Sequence, residues 1–80
     1  MMTDAANEIM NHFVEQGRVE QGSVLIISEL YRKAREWGPQ YVENLESAMR
    51  ELQDEGYVLI TAPHGLELTG RGVSYLSDEQ

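Results

Sequence analysis

The stretch Gly56-Tyr57-Val58-Leu59-Ile60-Thr61-Ala62-Pro63-His64-Gly65-Leu66-Glu67-Leu68-Thr69-Gly70-Arg71-Gly72 decides the fold of this 80-residue chain. From Tyr57 to Thr61 the residues are β-formers. Tyr57, Leu59 and Thr61 share one face of a strand, and Val58 and Ile60 share the other. Pro63 at the second position and Gly65 at the fourth fit a type I turn over Ala62–Gly65. After the turn, Leu66 and Leu68 point one way and Glu67 points out. Thr69 ahead of two closely spaced glycines predicts the cap of a short last helix, with Val73, Tyr75 and Leu76 available to pack. Ser77 to Gln80 reads as a frayed acidic tail.

Upstream of Gly56 the period changes to that of a helix. Val42, Leu45, Met49 and Leu52 form one stripe, flanked by Tyr41 and Ala48. A third helix is expected from Pro39, which suits a first helical position, to about Glu55. Gly56 is its C-terminal glycine. Gly38-Pro39 separates it from a second helix, Glu29 to Trp37, with Leu30, Tyr31, Ala34 and Trp37 facing inward. Ser23 to Ile27 fits either a short buried strand or the first turn of that helix. A short strand is expected, with Ser28 as the N-cap of helix two. Arg18 to Gly22 forms a polar loop. A first helix runs from Thr3 to Gln16, capped by Thr3, favoured by Asp4 near its N-terminus and closed by Gly17. Its apolar stripe is Ala6, Ile9, Met10, Phe13 and Val14.

Leu45-x3-Met49-x2-Leu52-x3-Gly56-Tyr57-Val58 resembles the end of a winged helix-turn-helix recognition helix running into its wing. Leu68-Thr69-Gly70-Arg71-Gly72-x3-Leu76 looks like the closing segment of many bacterial winged-helix regulators. Ser28-Glu29-Leu30-x3-Ala34 is similar to the first helix of the helix-turn-helix pair. The resemblance covers almost the whole chain. It implies an α+β winged helix-turn-helix: a three-helix core, a C-terminal β-hairpin wing and a short last helix, in one domain over residues 1–80. It also implies DNA binding, as in small bacterial or phage transcriptional regulators.

Composition opposes that use. Fourteen acidic residues face six basic ones, a net charge of -8. Such a balance works against attraction to nucleic acid or anionic lipid. The absence of cysteine excludes disulfides and thiolate metal sites. No apolar run approaches a membrane helix, and the N-terminus has no basic-then-apolar signal, so the chain reads as cytoplasmic.

In a helix-turn-helix protein the exposed face of the second helix of the pair enters the major groove. Here that is helix three, whose outer face gathers Gln40, Glu43, Asn44, Glu46, Ser47, Arg50 and Asp54. Gln40, Glu43, Asn44, Ser47 and Arg50 are the candidate base contacts; Arg32, Lys33, Arg35 and Arg71 are the candidate phosphate contacts. The same face carries three carboxylates against one guanidinium. The wing tip offers Pro63 and His64 where a DNA reader would present a basic residue. The surface charges are also accounted for as i,i+4 pairs: Glu29–Lys33, Arg32–Glu36 and Glu46–Arg50.

Catalytic signals are weak. His12 reads as a solvated helix residue and His64 as a turn residue, neither at metal-ligand spacing. The serines have no base near them in sequence, and Gly70-x-Gly72 fits a tight helix start better than a phosphate loop. The aromatic residues read as packing rather than as a base-stacking surface. The expectation is a non-enzymatic protein without cofactor or metal. It is a DNA-binding regulator acting as a dimer or with a partner, or else a module that binds protein through an acidic helix three.

Overall fold

Two glycine-closed helix ends frame the architecture of the computed structural model, which describes residues 2–79. The first helix, α1, is Asp4–Glu15, and the Thr3 hydroxyl accepts the Ala6 N–H at 3.3 Å as its N-cap. At its other end Gly17 adopts φ 69°; its N–H reaches the Val14 carbonyl, and the Arg18 N–H reaches that of Phe13. This pair of bonds satisfies carbonyls that a helix end otherwise leaves open. The same device closes the long helix α3, Pro39–Asp54. There Gly56 sits at φ 83°, with Gly56 N–H on Gln53 and Tyr57 N–H on Leu52.

Between these helices lie β1, Val24–Ile26, and α2, Ile27–Trp37. The short strand was expected, but Ser28 is not the cap of α2. The N-cap position is Ile26, without a side-chain hydrogen bond. The Ile27 N–H donates instead to the His64 carbonyl at 2.8 Å. A carbonyl from the distant hairpin loop thus takes the orphan donor, and the helix starts two residues earlier than Glu29.

The hairpin is β2, Val58–Thr61, and β3, Gly65–Leu68. Its register pairs Thr61 with Gly65. The connection is therefore Ala62 to His64, with a cis Ala62–Pro63 peptide bond, and Gly65 belongs to the strand. β1 pairs antiparallel with β3, giving the order β1-β3-β2. Leu25, Leu66, Val58 and Leu68 are all buried on the inner face. The opposite face carries Val24, Glu67 and Leu59 in one row across the three strands.

The last helix, α4, spans Gly70–Glu79. It continues through Ser77–Glu79, so the expected frayed tail is helical there; Gln80 lies outside the described residues. Thr69 is the expected cap, its hydroxyl accepting the Gly72 N–H at 3.0 Å. The same hydroxyl donates to the Gly56 carbonyl at 2.6 Å, and the Thr69 N–H bonds the Tyr57 carbonyl at 3.1 Å. One threonine therefore starts α4 and ties it to the corner between α3 and β2.

Ile9, Met10, Phe13, Leu30, Leu45 and Leu52 fill the centre with the inner sheet face. Burial of side chains this size stabilises by roughly 2 kcal/mol each. The buried stripe of α1 is rotated from the expected one: Ala5 is buried and Val14 only half-buried. The rotation carries His12 inside. It is 8 % exposed, not solvated, and its ring meets Trp37 edge-on at 5.9 Å. Its Nδ1 has no hydrogen-bond partner and lies 3.5 Å from the Glu15 carboxylate. The described residues form an α+β fold, four helices with a three-stranded antiparallel sheet, in an order compatible with a winged helix. No helix among them is long and apolar enough to cross a membrane.

Candidate functional site

The inward stripe of α3 (Leu45, Ala48, Met49 and Leu52) is buried against the other helices and the sheet. Burial of that stripe forces the opposite face outward, because residues three and four apart share a face. Gln40, Glu43, Asn44, Ser47 and Arg50 are accordingly all exposed. They do not form one uniform surface. The start of α1 borders one edge of this face.

On one side, Gln40, Asn44 and Ser47 line a cleft of about 530 Å³. Its other wall is Met2 to Ala5, and Tyr41, Ala48 and Glu51 complete it. Glu51 holds this wall in place. Its two carboxylate oxygens accept the Thr3 N–H at 3.3 Å and the Thr3 hydroxyl at 3.0 Å. Asp4, exposed in the first turn of α1, adds a second carboxylate to the cleft. None of the residues lining it is basic. Asp4, Thr3, Tyr41 and Glu51 were not among the sequence-derived site residues. The contact between Thr3 and Glu51 spans 48 positions, and no local pattern announces it.

On the other side, Glu43 shares a shallow groove with Arg35, Pro39 and Val42 at the corner between α2 and α3. Arg50 pairs with Glu46 at 3.4 Å, the one expected i,i+4 pair that is present among the described residues. Lys33 bonds Glu36 at 3.2 Å instead of Glu29. Both pairs are largely exposed at the carboxylate end, so each contributes less than about 1 kcal/mol.

The remaining basic candidates lie on α2 and α4. Arg32 and Arg35 are exposed on α2. Arg71 lies at the start of α4, its guanidinium 5.6 Å from the centre of the Tyr57 ring. Tyr57 in turn stacks on Tyr75 at 4.5 Å. Arg18 donates to the Val24 carbonyl at 2.7 Å and so braces the loop before β1. Arg71, Tyr57 and Tyr75 thus pack together at the hairpin base, and Arg18 braces the first loop. Among the described residues no three His, Cys, Asp or Glu side chains gather as a metal site would require.

The charges near α3 set what it can meet. Glu43, Glu46, Glu51 and Asp54 stand on this helix with Arg50 alone against them, and Asp4 borders the cleft. A carboxylate at about 5 Å from a phosphate costs roughly 0.8 kcal/mol even in water. No family model, no curated protein and no solved structure matches the chain.

Proposed function

We propose that the chain is a winged-helix module that binds a basic segment of a partner protein through the outer face of α3. The helix–strand–helix–helix–hairpin–helix order supports the winged-helix part of this reading. The observation that carries the binding part is the charge on α3: four carboxylates, one guanidinium already paired with Glu46, and a further carboxylate from α1 beside them. Potentials of opposite sign steer partners together and exclude like-charged ones. Phosphate contacts supply most of the affinity for nucleic acid, and this face has almost nothing to make them with. No catalytic step and no cofactor belong to the proposal.

A second reading keeps one observation on its side. Gln40, Asn44 and Ser47 form an exposed, uncharged polar row at helical spacing, the residue types that hydrogen-bond base edges. On that reading the chain is a DNA-binding transcriptional regulator, and a dimer mate or partner supplies the positive surface. Arg32, Lys33, Arg35 and Arg71 would then hold phosphates.

One pair of titrations separates the two. The labelled chain is followed by amide chemical shifts against a mixed-sequence DNA duplex at low ionic strength, and against an octa-arginine peptide. The expected result is no saturable duplex binding, with peptide shifts concentrated on α3 and not on Glu8, Glu20 or Glu29. The double variant E43K/E46K should weaken the peptide by about tenfold. Salt-sensitive duplex binding that is lost in Arg32→Ala, Lys33→Ala and Arg50→Ala would replace this reading with the second.

A further inference from the structure

We infer that the cleft between the start of α1 and the outer face of α3 is a receptor for one arginine side chain of the partner segment, an inference that rests on the protein-binding reading above. The cleft has the size of a small-ligand site, about 530 Å³. The charged side chains in its lining are all acidic. Asp4 and Glu51 supply carboxylates, Gln40 and Asn44 supply amides that can turn their oxygens inward, and no lysine, arginine or histidine lines it. Asp4 on one wall and Glu51 on the other give a cation full negative charges to meet, which outweigh the partial positive charge of the α1 N-terminus between them.

Geometry favours a guanidinium over a compact ammonium. A guanidinium is planar and carries five N–H donors in a fixed fork, so acceptors on two walls can be engaged together. Tyr41 adds an aromatic side chain to the lining, and guanidinium groups stack on aromatic rings. The floor includes Ala5 and Ala48, both buried and small, which leave room for the aliphatic part of the side chain. Glu51 is already oriented, since Thr3 fixes both of its oxygens and each keeps further acceptor capacity. Little order is left to be imposed on binding, which lowers its entropic cost.

The test uses N-acetyl-arginine methylamide and its uncharged isostere, N-acetyl-citrulline methylamide, each titrated into the labelled full chain. The arginine probe should give saturable shifts at Ala5, Asn44, Ser47 and Ala48, and the citrulline probe should bind about tenfold more weakly. D4N should weaken the arginine probe by about threefold. S47F, at an exposed position that tolerates a larger side chain, should abolish binding by filling the mouth. Each variant's amide spectrum shows whether it stays folded. Equal binding of the two probes, or shifts spread away from the cleft, overturns the assignment. Octa-arginine shifts confined to Glu43 and Glu46, with the cleft amides unmoved, overturn it as well and leave the protein-binding reading standing. Duplex binding by the unmodified chain removes both.

Discussion

Gly72 shows how a single position ties the end of the chain to its middle. A Cβ at residue 72 would sit well inside van der Waals contact of the Tyr57 carbonyl oxygen, a backbone atom that cannot step aside. That carbonyl also accepts the Thr69 N–H, so moving it disturbs the start of α4. Gly72→Ala is expected to destabilise by about 3 kcal/mol, the upper range for overpacking. Chemical denaturation checks it, and a loss under about 1 kcal/mol would mean the corner is softer than its contacts imply. The sequence flagged Gly72 only as part of a tight helix start; the close approach depends on how the hairpin folds back. His12 is the opposite case. Alone it looks like a solvated helix residue, yet it stands three after Ile9 and seven after Ala5, both buried, which is a core spacing. Its polarity hid the pattern.

Helix ends and strand pairings were legible to different degrees. Thr3, Gly17, Gly56 and Thr69 work where local chemistry placed them, because caps and left-handed closures act over a few residues. The start of α2 was not legible, since its acceptor comes from His64, far along the chain. A test follows from this contrast. Ser28→Ala should leave stability within about 0.3 kcal/mol of the parent, as expected for an exposed non-cap position, whereas Thr69→Ala should cost about 1 kcal/mol. Thermal melts of both variants decide it, and a Ser28→Ala loss near that of Thr69→Ala would restore serine as the cap. The ambiguity of Ser23–Ile27 between strand and helix start resolves for the same reason: β3 pairs with Val24–Ile26, and α2 begins at Ile27. The outward face of the sheet stays apolar at Ile26 (48 % exposed) and Leu59 (49 % exposed), which alternation alone had not separated from core positions.

At the scale of the molecule, charge is the dominant property. A net charge of -8 on 80 residues repels itself in the compact state. Raising the salt from about 20 to about 200 mM should shorten the screening length several-fold and raise the melting temperature by roughly 2–4 °C. A flat or falling melting temperature would show that local pairs already neutralise the strain. The acidic balance, the α+β order of elements and the outward face of α3 follow from composition and periodicity. Those properties are local or additive, so the sequence by itself determined them. Tertiary structure alone decided that β1 joins the hairpin sheet, that the His12 ring meets Trp37 and that α1 lies beside α3 to make the cleft. Each of these depends on contacts between residues far apart in the chain, which no window of sequence contains: Val24 with Glu67, His12 with Trp37, and Thr3 with Glu51.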